Sequence, residues 1–447
     1  MADRVTKRYR SDSDRTPFPS GDVLALILGF LPQATTFKSI VLVCKAFSEC
    51  VKTNPLAWPA RLLLKSSWHL PPPPVLLSKN VTLINANVAL DKCVLATEIT
   101  TIRASGLVCI PPLPHLRSFN ISNDMEVDVP GSLGTLKGLV TLHANVCLRG
   151  GSDVGLFPSL KTFKATRTLT RDQAALLERC PNLENLHVLL GILDHIRPTV
   201  TLATLAGRLP CLRSLTIDIY GFDDQQHLPS ILRLLETTPC LRIFEAASLH
   251  NIGDVLVTLS RHCREIEALT VDTHDWTDEQ SIRGFQGFPK LKTLVVRDAT
   301  RHTAPLLCRG NKIERLTVYF SELQSGQEAI NWVSALSSLR ALALTNVCLD
   351  VLFPLLVPNL TSLSLFRIHI LGDPATFLGA LSESCPRLQT LNIFQIGAAG
   401  ESFCDALSSF VARCPDLRTL CVHRATAALE RTCARCGVKL ETTNVWN

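Results

Sequence analysis

The sequence predicts an α/β solenoid in which short parallel strands form one concave sheet, and three observations support this fold class. The first is a phrase with the pattern apolar–x–x–apolar–x–apolar, which occurs fifteen times between Val81 and Val422. The second is the mean spacing of 24 residues between successive copies, which is enough for one strand and a return segment. The third is that each copy carries three apolar residues that a single unit cannot bury, so the units must stack.

The repeats run from residue 81 to residue 447, where the last residues close the stack as a C-terminal cap. The phrase is clearest at Leu183–Val188, Leu291–Val296 and Leu388–Ile393. Its copies open at residues 81, 99, 116, 139, 160, 183, 212, 241, 266, 291, 313, 339, 360, 388 and 417. A fixed phrase at this period is typical of a protein that binds other molecules and carries out no reaction of its own.

The composition agrees with stacked units in a protein outside the membrane. Hydrophobic residues make up 46% of the 447 residues and charged residues 19%, which three inward residues per unit explain. The apolar stretch from Val23 to Leu31 is too short to span a bilayer and starts too late for a signal peptide. The net charge of +6 is modest and no long basic run is present, so we expect no nucleic-acid partner.

The chain has 17 cysteines, an odd number, which indicates reduced thiols in a cytoplasmic or nuclear protein. Several precede a proline just before the phrase, as in Cys180-Pro181, Cys385-Pro386 and Cys414-Pro415. A free cysteine behaves as a small buried hydrophobe, and the proline after it ends the preceding helix. We interpret these thiols as packing residues and expect no cofactor.

Three segments precede the repeats. Residues 1–16 are charged and lack an apolar period, which predicts a disordered tail; Lys7–Arg10 within it fits a solvated tail or an import signal. Residues 17–65 are predicted to form a compact helical block. Residues 66–80 form a proline-rich spacer in which Pro71–Pro74 is a stiff polyproline segment or, alternatively, a ligand of SH3-type domains.

The helical block contains two amphipathic helices. Ser20 is a suitable N-cap of the first helix, Asp22 suits its positive end, and Pro32 stops it. The second helix carries apolar residues from Phe37 to Phe47. Fewer than fifty residues cannot hide this much apolar surface internally, so part of it must face a partner or the first repeats.

The block resembles an F-box in three landmarks: Phe18–Leu31, Val43–Phe47 and Leu56–Trp58. It departs from the family pattern at Phe18, at Gly21-Asp22 and at Ala57. The resemblance implies that the block binds a Skp-type adaptor, which bridges to a cullin. The adaptor-binding residues would be Pro19, Leu24, Ile27, Leu28, Val43, Cys44 and Phe47. The alternative is a helical N-terminal cap of the solenoid.

The repeats resemble leucine-rich repeats of the cysteine-containing type that often follows an F-box. In that family the phrase is a strand and the remaining residues return along the convex side, so steps of 28 or 29 residues leave room for helices at 226–236 and 401–412. Together the two resemblances imply the non-catalytic substrate receptor of an SCF-type cullin–RING ubiquitin ligase. An F-box scaffold that does not drive ubiquitination is the alternative.

The outward face of the sheet is the predicted binding surface. Strand side chains alternate, so the third, fifth and seventh phrase positions point outward. We expect substrate contacts from Asp218, Glu245, Asp272, Arg297, Arg315, Tyr319, Phe366 and Phe394. Aromatic residues and arginine dominate interface energetics, and charge sets orientation. Two alternatives stay open: the carboxylates are simply solvated, or the C-terminal tail with Trp446 covers the aromatic residues.

The residues Cys421, His423, Cys433 and Cys436 are one candidate metal cluster. Four such ligands can hold zinc in a tetrahedron, but the Cys-x-x-Cys stands without a second pair. Tail thiols or a redox-active pair are the other interpretations, and we predict no metal site. The sequence contains no phosphate loop, His-Glu-x-x-His helix or nucleophile elbow, which argues against an enzyme.

Overall fold

A computed structural model provides the structure of the protein. The residues it describes are 61–65, 80–84, 101–104, 115–121, 126–129, 137–148, 156–191, 202–220, 227–247, 249, 252–273, 286–299, 303–308, 312–325, 333–350, 357–394 and 401–442. The chain divides into two compact units, Met1–Arg167 and Thr168–Asn447. Both are built from parallel strands.

The first unit combines strands at the phrase copies with additional strands. The strands are β1 (Arg61–Lys65), β2 (Asn80–Ile84), β3 (Thr101–Ala104), β4 (Ser118–Ile121), β5 (Glu126–Val129), β6 (Thr141–His143), β7 (Asn145–Leu148) and β8 (Thr162–Thr168). Of these, β2, β3, β4, β6 and β8 correspond to phrase copies, and β1, β5 and β7 are additional strands. The parallel pairs β1–β2, β2–β3, β3–β4, β4–β6 and β6–β8 form one sheet, and β5 pairs with β7 in another. Residues 61–65 therefore form a strand, although they end the block that was predicted to be helical.

In its described part, the second unit carries one strand for each of its ten phrases and two further strands. Its strands are β9 (Asn185–Gly191), β10 (Ser214–Tyr220), β11 (Ile243–Ala247), β12 (Ala268–Asp272), β13 (Thr293–Ala299), β14 (Arg315–Ser325), β15 (Ala341–Asp350), β16 (Ser362–Phe366), β17 (His369–Leu371), β18 (Thr390–Phe394), β19 (Thr419–Val422) and β20 (Lys439–Thr442). The two further strands are β17 and β20. Consecutive strands pair in parallel from β9 to β16, and then β16 pairs with β18, β18 with β19 and β19 with β20. The short β17 pairs with the end of β15.

Helices form the return segments of the second unit where the spacing allows. They are α1 (Arg171–Leu177), α2 (Leu228–Glu236), α3 (Ile252–His262), α4 (Thr303–Cys308), α5 (Pro374–Ser384), α6 (Glu401–Arg413) and α7 (Ala427–Cys436), with 3₁₀ turns at Leu202–Leu205 and Val333–Ala335. The predicted helices at 226–236 and 401–412 correspond to α2 and α6, so both are confirmed. Asp373 caps α5 and Thr426 caps α7 through side-chain acceptors, and Gly437 ends α7 in the left-handed conformation.

One turn recurs before the strands. The amide of the opening phrase residue donates to the carbonyl three residues earlier, as in Leu212 to Leu209, Leu241 to Thr238 and Leu388 to Cys385. The next two amides then donate to one carbonyl of the preceding repeat. Consecutive repeats therefore enter the sheet in the same way, and this keeps their strands in register.

The core of the second unit lies between the sheet and the return segments. In the phrase that contains β11, for example, Leu241, Phe244 and Ala246 occupy the first, fourth and sixth positions and are fully buried. Helices α2 and α3 contribute residues such as Leu234 and Leu256, which are also fully buried. This pattern confirms the predicted α/β solenoid. Within the described residues, no helix combines the length and hydropathy needed to cross a membrane.

Buried thiols are part of this core. Cys180, Cys263 and Cys385 are at most 1% exposed. The Cys180 thiol donates to the carbonyl of Leu176 at 3.2 Å. Because burial disfavours the thiolate, the pKa of each of these three thiols rises from 9.0 to about 12. The packing role predicted for the cysteines that precede proline is therefore confirmed at Cys180 and Cys385.

Because the pKa values of these thiols are raised in the folded chain, we expect the protein to lose stability at high pH. In the unfolded chain they lose their protons near pH 9.0, whereas in the folded chain they keep them until about pH 12. The free energy of unfolding should therefore be unaffected below pH 9 and fall from pH 9 towards pH 12, by about 1.4 kcal/mol per pH unit for each thiol. Urea unfolding midpoints at pH 8 and pH 10.5 measure this loss. A Cys263→Ala variant should show a smaller difference between the two pH values, and an equal difference would contradict the assignment.

Candidate protein-binding face

The candidate site is the open face of the second unit, which we define as the third, fifth and seventh phrase positions of β9 to β19. These side chains point away from the core, because the fourth and sixth positions between them are buried. The third-position row is Asn185, Ser214, Ile243, Ala268, Thr293, Arg315, Ala341, Ser362, Thr390 and Thr419. The strand register places equivalent residues beside each other, so that each row crosses the sheet.

The other two rows carry most of the predicted site residues. The fifth-position row is His187, Thr216, Glu245, Thr270, Val295, Thr317, Ala343, Ser364, Asn392 and Cys421. The seventh-position row is Leu189, Asp218, Ala247, Asp272, Arg297, Tyr319, Thr345, Phe366, Phe394 and His423. Cys421 departs from the expected alternation, since it is only 5% exposed.

The carboxylates at one end of the face have basic neighbours. His187 Nε2 lies 3.0 Å from Asp218 Oδ2, and Arg297 Nη2 lies 3.5 Å from Glu245 Oε1. The register also places Asp272 directly beside Arg297. The structure therefore places Arg297 among the carboxylates. We call Asp218, Glu245, Asp272 and Arg297 the charged end; its half-exposed pairs contribute only about 0–1 kcal/mol each to stability.

The aromatic side chains form the other end of the face. Phe366 and Phe394 are register neighbours on β16 and β18, and their rings stack with centroids 4.9 Å apart and planes 13° from parallel. Phe366 is 36% exposed and Tyr319 is 41% exposed. We call Tyr319, Thr345, Phe366 and Phe394 the aromatic end.

Thr345 connects the aromatic side chains into one row. It pairs in register with Tyr319 on one side and Phe366 on the other. Although Thr345 points to the open face, its hydroxyl oxygen is buried and has no hydrogen-bond partner. The register carries the row from Tyr319 through Thr345 and Phe366 to Phe394. Beside it, Asn392 Nδ2 donates to Ser364 Oγ at 2.9 Å and fixes the amide on the fifth-position row.

The aromatic end lacks carboxylates. None of the three rows carries Asp or Glu between Arg315 and His423. Arg315 lies on this part of the face, and the exposed residues Arg367 and Arg424 follow the ends of β16 and β19. The two ends of the face therefore differ in chemistry, one bearing carboxylates and the other aromatic and basic side chains.

The backbone is irregular at the eighth phrase position, which lies inside β13 and β15 and directly after β16. Asp298, Asn346 and Arg367 adopt positive φ angles of 48°, 60° and 51°. Asn346 Nδ2 donates to the carbonyl of Phe320 at 2.8 Å, and the Arg367 amide donates to the carbonyl of Phe394 at 3.0 Å. These bonds tie Asn346 and Arg367 to a neighbouring repeat. The phrase itself gave no signal for these left-handed residues, because two of the three are not glycine or asparagine.

The four residues considered as a candidate zinc cluster lie on different elements. Cys421 and Cys433 are buried on β19 and α7, His423 follows β19, and Cys436 is exposed at the end of α7. In the part of the chain that the structure describes, no group of three or more His, Cys, Asp or Glu side chains is arranged to hold a metal ion. The geometry therefore gives the zinc interpretation no support.

Other predicted features fall outside the described residues. The adaptor-binding residues lie there, namely Pro19, Leu24, Ile27, Leu28, Val43, Cys44 and Phe47. Trp446 of the C-terminal tail and the spacer Pro71–Pro74 also lie there. The roles assigned to these residues stay predictions from the sequence.

The comparisons with known proteins bear on the fold alone. No family model matches the chain, and no curated protein matches it. Among solved structures, the chain is similar to a leucine-rich-repeat protein of Leptospira interrogans, with 12% sequence identity and a TM-score of 0.35 over 78% of this chain and 91% of that chain. The parallel sheet, the repeat period and the outward rows described above establish a solenoid of stacked strand repeats.

Proposed function

We propose that the protein is the substrate-recognition subunit of an SCF-type cullin–RING ubiquitin ligase, with the open face of its second unit binding a protein substrate. The coarser part of this proposal, a repeat scaffold for protein interaction, is what a leucine-rich-repeat-type fold suggests. The finer part depends on the F-box resemblance of residues 17–65. The two parts are therefore tested separately.

The observation that carries the substrate-binding part is the aromatic end. Phe366 and Phe394 stack on each other while Phe366 remains 36% exposed, and Tyr319 lies on the same row. Large rigid rings lose little conformational entropy on binding and dominate the energetics of protein interfaces. The surrounding positions are small or polar, such as Ser364 and Thr390, as expected for the rim of a hot spot.

The charged end supplies orientation. A partner segment with basic residues would face Asp218, Glu245 and Asp272, and carboxylates of the partner would face Arg315. Such complementarity steers association and fixes the direction of the bound segment more than it adds affinity. It also makes the association rate depend on salt.

The adaptor arm of the proposal, namely that residues 17–65 bind a Skp-type adaptor, follows from the sequence of that helical block. Two amphipathic helices within residues 17–65 carry more apolar surface than they can bury among themselves. In the F-box family that surface binds a Skp-type adaptor and, through it, a cullin. The protein would then act without a catalytic residue, by raising the effective concentration of substrate lysines near the ubiquitin-conjugating enzyme.

Co-expression with a Skp-family adaptor tests the adaptor arm. We expect the native chain to retain the adaptor through purification and a Pro19→Ala, Leu24→Ala double variant to lose it, with unchanged circular dichroism. A Phe366→Ala, Phe394→Ala double variant is the matched control, since it removes two aromatic side chains far along the sequence and should retain the adaptor. Absence of adaptor from the native chain would contradict the proposal and favour a solenoid cap.

A scaffold that binds partners without ubiquitination is the second candidate. The open face supports a scaffold as well as it supports a ligase receptor, because partner binding at that face does not depend on the F-box. Partner abundance separates the two functions: a ligase receptor predicts that proteasome inhibition raises the level of the bound partner, and a scaffold predicts no change.

A further inference from the structure

Two exposed thiols occupy the same place in consecutive repeats. Cys211 and Cys240 lie in the identical tetrapeptide Pro-Cys-Leu-Arg at residues 210–213 and 239–242. Both are exposed, as is Cys436, whereas Cys180, Cys263, Cys308, Cys385, Cys414, Cys421 and Cys433 are buried. Cysteines that precede a proline therefore pack inside the core, and these two, which follow a proline, stand outside it.

The two turns are built alike and lie against each other. The Leu212 amide donates to the Leu209 carbonyl at 3.2 Å, and the Leu241 amide donates to the Thr238 carbonyl at the same distance. The Arg213 carbonyl then accepts the amides of Arg242 and Ile243 at 2.8 and 2.9 Å. Each cysteine lies two residues before this inter-repeat contact. Adjacent parallel strands are about 4.8 Å apart, which is inside the range of about 4.4–6.8 Å between Cα atoms of a disulfide.

Other repeats show that side chains at this position reach each other. Glu265 and Lys290 are the equivalent residues of two later consecutive repeats, and their side chains form an ion pair at 2.6 Å. The equivalent Asn359 and Arg387 lie 3.5 Å apart through Oδ1 and Nη1. The short side chain of Asn359 also donates to the Ser337 carbonyl of the preceding turn at 3.0 Å. A short side chain at this position therefore spans the gap between repeats.

We infer that Cys211 and Cys240 are a reversible disulfide pair on the surface of the second unit. The oxidant is hydrogen peroxide. One thiolate attacks a peroxide oxygen, which gives a sulfenic acid and releases one water. The second thiolate attacks the sulfenic sulfur, forms the S–S bond and releases a second water, so that two thiols and one peroxide give one disulfide and two waters. A dithiol reductant reverses the step by exchange.

The bond would link two repeats of the charged end. Cys211 precedes β10, which carries Asp218, and Cys240 precedes β11, which carries Glu245. Cross-linking residues 211 and 240 restricts the unfolded chain and should raise the thermal midpoint of the oxidised protein. This inference is independent of what the open face binds and of the adaptor arm.

Oxidation of the full chain followed by peptide mapping tests the pair. The protein is treated with hydrogen peroxide, blocked with N-ethylmaleimide and digested with trypsin without reduction. We expect one linked product, Leu209–Arg213 joined to Leu234–Arg242, together with the loss of two titratable thiols and a higher thermal midpoint. Dithiothreitol should restore both thiols and the original midpoint.

Single variants identify the partners. Cys211→Ser and Cys240→Ser should each abolish the linked product and the rise in the thermal midpoint, and Cys436→Ser should preserve both. These substitutions change exposed side chains, so the variants should keep the native circular dichroism spectrum. Recovery of Cys211 and Cys240 as blocked thiols, as over-oxidised acids, or as disulfides with other cysteines would overturn the inference.

Discussion

Replacing Phe244 by alanine is expected to lower the free energy of unfolding of the second unit by about 3–5 kcal/mol. Phe244 is fully buried on β11, and the register places it between Leu215 on β10 and Leu269 on β12. Removing the ring loses the free energy gained by burying it and leaves a cavity between neighbouring repeats. In a stacked protein each repeat is stabilised mainly by its neighbours, so the loss affects both interfaces of this repeat.

Ile243→Ala is the matched control for this prediction. Ile243 precedes Phe244 on the same strand, but its side chain belongs to the open face and is 46% exposed. Its replacement should change the free energy of unfolding by only about 0.5 kcal/mol. Urea unfolding followed by circular dichroism measures both variants. Equal losses in the two variants would contradict the assignment of alternate residues to the core and the open face.

Removing both stacked rings by Phe366→Ala and Phe394→Ala is expected to weaken binding of the protein partner by at least about 30-fold. The factor corresponds to a loss of about 2 kcal/mol, which is the usual threshold for a hot spot. Because both side chains point away from the core, the free energy of unfolding should change far less than in Phe244→Ala. Titration calorimetry with the purified partner measures the dissociation constant.

A double variant of the third-position row is the control. Ser362→Ala and Thr390→Ala change the same two strands and the same face, but they leave the stacked rings in place. We expect this variant to bind within a few-fold of the native chain. If both double variants bind equally well, the aromatic end is not the hot spot, and the open face must bind through its charged end or not at all.

Much of the fold could be predicted from the sequence because one local pattern determines it. The phrase fixes which strand residues face the core, and the recurrent turn fixes where each strand enters the sheet, so the predicted opening residues such as Leu241 and Leu388 are buried as expected. The helices at α2 and α6 followed from repeat length. The positive φ angles at the eighth position could not be predicted, because the phrase places no glycine there and Asp298, Asn346 and Arg367 are three different residue types.

The sequence predicted which residues lie on the candidate face, but it did not predict which of their side chains contact each other. The period of two along a strand assigns Glu245 and Arg297 to the same face, yet their contact crosses from β11 to β13 and depends on side-chain geometry. The stacking of Phe366 on Phe394 likewise depends on rotamers as well as on register. For the thiols, burial was predicted only for the cysteines that precede a proline, and no prediction covered Cys211 and Cys240, which follow a proline and are exposed.

Quantitative affinity purification from cells tests the central claim, namely that one chain binds an adaptor through residues 17–65 and a substrate through the open face. Three proteins are compared: the native chain, the Pro19→Ala, Leu24→Ala variant and the Phe366→Ala, Phe394→Ala variant. The account predicts that the first double variant loses the adaptor and cullin but keeps the partners, and that the second keeps the adaptor and cullin but loses the partners. Retention of the same partners by the Phe366→Ala, Phe394→Ala variant would contradict the account.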